Sequence, residues 1–437
     1  MSRAQGVDNL ISGLVLIVGL ALWVVLPLPA ILMLLAMLFL WLRFTRNGQL
    51  STASFRIGIG SLPQRWTASS VIVIGIAGVV AVLVAMLAMD EGFKTTLRNT
   101  GSSDSVIIMR GGSQSEVNSL ILREQVPLIS SLPGIRRDAE GWPLMSAELS
   151  VVGNMVSRGT DNFANAQFRG VNQGAWQIHD QVRIIEGRRF TPGTREIVVG
   201  QSAQAKFKGT DTGNTLTMFN QQWQVVGAFA SGDAHDSEIW ADTETLAAAN
   251  ARESYQSVTV RVDGASGLRL LTQAIDEDPR LKLEAQTTQA YYDKQSGQLS
   301  TLINILGKVV GIIMATGAVF GALNTMYATV ASRASEIATM RAIGFRGLPV
   351  VMSVMMETML LALTGGALGG FLAWLFFNGY SVSTLNSGFS QVIFQFNVTP
   401  YLLWVGLKWA LGIGLIGGLF PALRAARLPI PEALRAI

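Results

Sequence analysis

The chain has no cysteine and only two histidines, which excludes disulfides and thiolate metal sites. The lack of cysteine fits either side of a bacterial membrane and selects neither. Charge is scarce too: 14% of the 437 residues are Asp, Glu, Lys or Arg, against about 25% in soluble domains. No G-x-x-x-x-G-K-[ST] loop occurs, so ATP is not bound on this chain by that route. No H-E-x-x-H helix or other paired metal-ligand pattern is present either. The stretch Ser231–Glu238 gathers Asp233, His235, Asp236 and Glu238, but a run of this kind reads first as a solvated loop. His179 stands alone.

The charge deficit is segmented. Charges crowd into residues 90–294, and the flanks have almost none. A helix needs roughly 20 apolar residues to cross about 30 Å of hydrocarbon. Four segments qualify: one between Arg65 and Asp90, one between Lys308 and Arg333, one from Pro349 to Phe377 and one from Thr399 to Leu423. The last two are interrupted only by Glu357 and Lys408. The apolar run Asn9–Leu42 is too long for a signal-peptide core and lacks an A-x-A site, so an uncleaved anchor is expected. As one helix it would measure about 51 Å. Pro27 and Pro29 break it, and two short spans forming a hairpin are expected.

The expected cytoplasmic pieces hold Arg3, Arg43, Arg46, Arg56 and Arg65, then Arg333, Arg341 and Arg346, then Arg424, Arg427 and Arg435. The opposite short loops carry no charge. This positive-inside pattern places residues 91–298 outside the cytoplasm. It also makes the net charge of +4 a topology signal rather than a nucleic-acid footprint.

The expected fold is a membrane α-helical bundle, four core spans plus an N-terminal hairpin, with a large extracytoplasmic α+β domain of two lobes. The hairpin covers 1–50, an amphipathic cytoplasmic helix 51–66 and the first core span 67–90. The outer domain covers 91–298, with a split α+β lobe at 91–152 and 256–298 and a β-rich lobe at 153–255. The second span (299–331), a cytoplasmic segment (332–347), the third span (348–377), a short outer loop (378–398), the fourth span (399–424) and a tail (425–437) follow. For 51–66 a plain linker is the alternative.

In the outer domain, Val106–Met109 and Leu144–Val152 read as strands around a helix from about Glu116 to Val126. Val258–Val262, Leu268–Asp276 and Lys282–Ala285 read as strand, helix and strand. Two such β-α-β units flanking an insert imply one subdomain built from both ends. After Thr288 the pattern turns helical and enters the second span without a proline, which predicts a stalk helix.

Glu357 and Lys408 are intramembrane charges, which are costly and tend to face protein or each other. A direct pair, snorkelling and separate polar contacts all remain open. Gly365, Gly366, Gly369 and Gly370, with Gly412, Gly414, Gly417 and Gly418, form two clusters at spacings that let helix backbones approach closely. Between the second and third spans, Arg333 and Glu336 lie one turn apart, and Ile337, Met340 and Ile343 fall toward one side until Gly344 stops the helix. A charged helix with an apolar stripe just beneath the membrane suits docking on a cytoplasmic partner. A solvated connector is the alternative.

Several ordered stretches resemble the MacB/FtsX-like permease family of ABC transporters. RIGIGSLPQRWTASSVIVIGIAGVVAVLVAMLAMDEGF resembles its amphipathic helix and first span, and SRASEIATMRAIGF its coupling segment. ETMLLALTGGALGG resembles its third span, with Glu357 at the usual acidic position, and PALRAARLPIPEALRAI its C-terminal end. FRGV, EGRRF and WQVVGAF (Phe168–Val171, Glu186–Phe190, Trp223–Phe229) resemble pieces of its periplasmic domain. The N-terminal run departs from the four-span core, and the fused ATPase of MacB proper is absent.

The resemblance implies a non-catalytic permease of the bacterial inner membrane, dimeric with a second copy or a paralogue. It would hold no cofactor of its own, ATP and Mg being bound by a separate ABC ATPase subunit. That ATPase would push on Arg333, Glu336, Ile337, Met340, Arg341 and Gly344. The implied activity is extrusion by mechanotransmission, with a periplasmic adaptor and outer-membrane channel as further partners. Lipoprotein or lipid extraction, or regulation of a cell-wall enzyme, are the alternatives.

Overall fold

The computed structural model describes residues 26–60, 65–345, 347–385 and 391–427. The chain divides into two compact units. One comprises Met1–Asp90, Leu302–Gly379 and Asn397–Ile437; the other comprises Glu91–Thr301 and Tyr380–Phe396.

Among the described residues, four helices are long and apolar enough to cross a membrane: Trp66–Thr100, Thr288–Ser332, Gly347–Phe377 and Pro400–Arg427. These are the first to fourth core helices. Ahead of them, helix Leu28–Phe44 carries proline in its opening turn, where a missing N–H costs nothing. At Thr45 the chain bends by 92° into the elbow helix Arg46–Gly60. The Thr45 hydroxyl donates to the Trp41 carbonyl at 2.7 Å and accepts from the Gly48 N–H at 3.0 Å. A Cβ at Gly48 would lie 2.2 Å from that same carbonyl oxygen, so the bend needs glycine. The elbow helix thus starts at Arg46, five residues before the expected 51. It buries Gly48, Ser51, Ser54 and Gly58 and exposes Ile57. The first arm of the expected hairpin lies outside the described residues.

The glycine clusters set the packing of this unit. A Cβ at Gly369 would come 2.4 Å from the Ala77 carbonyl oxygen, and one at Gly365 2.9 Å from that of Val73. A Cβ at Gly366 would lie 2.7 Å from that of Ala410, and one at Gly370 3.3 Å from Leu403 Cδ2. From the fourth helix, a Cβ at Gly414 would lie 2.4 Å from that of Ala362, and one at Gly418 2.8 Å from Thr358 Oγ1. The third helix is therefore in backbone contact with the first and closely packed on the fourth.

The second unit is built on one sheet. Its strands in chain order are β1 (Ser105–Arg110), β2 (Ile121–Leu122), β3 (Met145–Val156), β4 (Phe163–Val171), β5 (Arg183–Gly187) and β6 (Glu196–Gly200). There follow β7 (Thr215–Met218), β8 (Gln221–Ala230), β9 (Glu238–Asp242), β10 (Ser254–Tyr255), β11 (Ser257–Arg261) and β12 (Leu283–Thr287). The sheet runs β12-β1-β11-β3-β4-β9-β6-β8-β5, with β7 paired to β8. Strands β12-β1-β11-β3, all antiparallel, have the order of a split β-α-β pair. Helix Gly264–Glu277 buries Leu271 and Ile275 in the same cluster as Val106, Ile108, Val258 and Val260.

One expectation in this unit is corrected. No helix spans Glu116–Val126: that stretch holds a 3₁₀ turn at Glu116–Asn118, strand β2, and the start of helix Gln125–Ser130. Pro127 lies in the first turn of that short helix, where its missing N–H is tolerated. The β-rich insert continues the same sheet. Strand β3 pairs with β11 at its start and with β4 along the rest, so two apolar cores share one sheet.

The loop expected at 378–398 contains a hairpin, β13 (Ser381–Leu385) and β14 (Gln391–Gln395). It packs within the second unit. Phe394 meets Phe93 edge-on at 5.4 Å between ring centroids, and the Ile393 N–H donates to the Ser237 hydroxyl at 2.9 Å.

Candidate coupling site

The second core helix ends at Ser332, and the short helix Ala334–Ala342 begins after a break at Arg333. Gly344, at φ +107°, ends it in a left-handed conformation that glycine adopts without strain. The sequence-expected residues divide by exposure. Arg333 and Ile337 are buried, Met340 and Arg341 half-buried, and Glu336 and Gly344 exposed. The apolar stripe is accordingly not one docking face: Ile337 is a core residue of its own unit, whereas Ile343 is 72% exposed. Glu336, Thr339 and Ile343 are exposed.

Behind the helix lies a buried ion cluster. Arg333 donates to Glu357 Oε2 at 2.9 Å and to Glu336 at 3.1 Å. Arg65 approaches Glu357 Oε1 at 3.9 Å. Glu357 and Lys408 do not pair. Lys408 instead donates to the Leu26 carbonyl at 2.8 Å.

The second unit holds a larger charged core, which sequence spacing gave no means of finding. Arg169 on β4 is buried and donates to Glu148 at 2.7 Å, to Glu238 at 2.8 Å and to Glu116 at 2.9 Å. These partners come from strands β3 and β9 and from the 3₁₀ turn, far apart in the chain. His179 approaches Glu148 at 3.4 Å, and His235 approaches Asp233 at 3.1 Å. The two imidazole rings lie 4.6 Å apart. The Ser231–Glu238 stretch is therefore not a solvated loop, since Asp233, His235 and Glu238 are buried, nor is His179 alone.

Burial pushes the Glu148 carboxyl up, but the His179 hydrogen bond and the Arg169 charge outweigh it and hold the group at about 2. Burial presses His235 down, and the charges of Asp233 and Glu238 overcome this to raise it to about 9. The same network receives the ends of two core helices. The Glu116 N–H donates to the Tyr291 hydroxyl at 3.1 Å, and the Ala234 N–H to Thr100 Oγ1 at 3.0 Å. Among the described residues no group of His, Asp and Glu is arranged to hold a metal.

These parts are those of a membrane permease with an extracytoplasmic domain, and comparison with known proteins agrees. Residues 68–277 match the MacB-like periplasmic core domain, and residues 308–430 the FtsX-like permease C-terminal domain. The chain belongs to the MacB/FtsX-like family of ABC transporter permeases, a membership that implies work with an ABC ATPase. The uncharacterized ABC transporter permease YknZ of Bacillus subtilis (strain 168) is 21% identical over 386 residues, 83% of this chain and 93% of that one. The macrolide export ATP-binding/permease protein MacB of Azoarcus sp. (strain BH72) is 23% identical over 87% of this chain and 58% of its own length. The pyoverdine export ATP-binding/permease protein PvdT of Pseudomonas syringae pv. syringae (strain B728a) is 24% identical over 83% and 55%. The chain thus spans little more than half the length of those two export proteins. The periplasmic region of MacB from Actinobacillus actinomycetemcomitans aligns with TM-score 0.34 and 15% identity, over 44% of this chain and 92% of that one.

Proposed function

We propose that this chain is the permease subunit of an export complex in the bacterial inner membrane, with its large domain in the periplasm. ATP is hydrolysed on a separate ATPase subunit. Two permeases, a pair of copies or of paralogues, sit on two ATPases, and a periplasmic adaptor and outer-membrane channel complete the path outward. The spans carry no substrate across the bilayer; they pass motion to the outer domain, which extrudes it.

The observation that carries this reading is the helix Ala334–Ala342, set between two candidate spans with Glu336, Thr339 and Ile343 outward. The element above it is continuous. The second core helix runs 45 residues without a break, about 68 Å against roughly 30 Å of hydrocarbon. The export proteins among the relatives support the outward direction.

Purification from the native membrane tests the docking step. An ATP-hydrolysing ABC subunit should accompany the parent chain. Ile343→Asp, which places a charge at an exposed apolar position at the end of the helix, should reduce its recovery about tenfold. Ile185→Asp, at an exposed position on β5, should leave recovery unchanged. Full recovery with Ile343→Asp, or no such companion with the parent, would refute the proposal.

A further inference from the structure

The ion cluster behind the short helix has a geometry that simple anchoring does not require. Glu357 uses its two oxygens on two different chain segments: Oε2 faces Arg333, at the break between two helices, and Oε1 faces Arg65, just ahead of the first core helix. The side chains of Glu357 and Arg333 are 3% and 7% exposed. A third segment closes over them, because a Cβ on Gly58 of the elbow helix would lie 3.3 Å from Glu357 Oε2 and 3.4 Å from both terminal guanidinium nitrogens of Arg333. Arg333 also holds the start of the short helix by its backbone, its carbonyl accepting from the Ile337 N–H at 2.9 Å.

The far end differs. Gly344 has no neighbour within 4 Å of a built Cβ, and Ile343 is exposed. One end of the helix is clamped by buried charge, and just past the other lie the exposed Ile343 and Gly344.

We propose that Glu357 is a positioning residue that fixes the start of helix Ala334–Ala342 as a pivot, binding it to the third core helix and to the entry of the first. A push at the exposed Ile343–Gly344 end then turns the helix about Arg333 and moves the core helices as one body. Without the clamp the same push would be absorbed at the break. The charges suit this role better than an apolar contact would. A buried pair adds little net stability, but losing one partner strands the other in a dry site, so the joint resists slipping. The inference rests on reading Ala334–Ala342 as the coupling element, yet its test needs no ATPase, so failure of one leaves the other open to separate judgement.

The natural absence of cysteine allows labels to be placed without background. Nitroxides on Thr339→Cys and Leu423→Cys, an exposed pair in the same unit, would report the distance distribution across the helix in the full-length chain in nanodiscs. A second pair, Phe163→Cys and Ile185→Cys, exposed in the other unit, reports whether the fold persists. Glu357→Gln should widen the first distribution about twofold and leave the second unchanged. Arg333→Met should do the same, and the double variant should fall short of the sum of the two, because both remove the Arg333–Glu357 pair. An unchanged width in Glu357→Gln, or widths that add in the double variant, would overturn the proposal. If Arg333→Met fails to fold, the single Glu357→Gln comparison still decides.

Discussion

Arg169 answers three buried carboxylates with one guanidinium, and its five donors in a planar fork make that possible. Removing it should be costly. Arg169→Met leaves Glu116, Glu148 and Glu238 facing one another in a dry core, and we expect a loss of about 3–5 kcal/mol in the stability of the second unit, read by denaturant unfolding. The same network fixes a pH dependence. Glu148 is depressed to about 2, so its contribution is present above its unfolded value near 4.3 and is lost as pH falls through about 2. His235 is raised to about 9, so its contribution is full below about 6.5 and is lost as pH rises through about 9. Stability should therefore plateau between about pH 5 and 6.5 and decline on the alkaline side. His235→Gln should remove most of that alkaline decline, and a decline unaltered by this substitution would count against the Asp233–His235 pair. None of this was legible in the sequence. Polar residues in a short run look solvated, and nothing in their spacing says that β4 and β9 lie side by side and bury them.

At the scale of elements, legibility followed period and composition. Four apolar runs and the glycine pairs at three- and four-residue spacing pointed to helices in close contact, and a built Cβ at Gly369 collides with the Ala77 carbonyl. Glu116–Val126 has Val117, Leu120 and Ile121 at helical spacing, yet it forms a turn and a two-residue strand because Ile121 pairs with Tyr255, a partner supplied by tertiary structure alone. The β13–β14 hairpin went unseen because uncharged strands near a membrane resemble a plain loop. Helix packing gives a sharp contrast for test. Gly369→Val should destabilise the membrane unit by about 1–3 kcal/mol, since the obstructing atom is backbone and cannot rotate away. Gly75→Val, with nothing within 4 Å of its built Cβ, should be close to neutral. Thermal melting in detergent compares the two, and equal effects would show that the third helix does not approach the first as closely as described.

For the whole molecule the decisive property is sidedness, because docking on an ATPase and work outside the cytoplasm require opposite faces of one bilayer. The charge pattern orients the chain with Arg43, Arg46, Arg56 and Arg65 inside, and translocation of short flanks rich in arginine is disfavoured. An even number of crossings, contributed by the second and third core helices, then separates Thr301 from Tyr380, so that Ile343 between them lies inside and Ile185 outside. The chain has no cysteine to confuse a labelling experiment. A membrane-impermeant maleimide should modify Ile185→Cys in spheroplasts and leave Ile343→Cys untouched, and inside-out vesicles should reverse the pattern. Both residues are well exposed in the chain, so in membranes stripped of the ATPase a negative result reflects the bilayer rather than burial. Modification of both from one side would place the short helix and the large domain in the same compartment. No cytoplasmic motor could then drive this chain through Ala334–Ala342 to act on the other side.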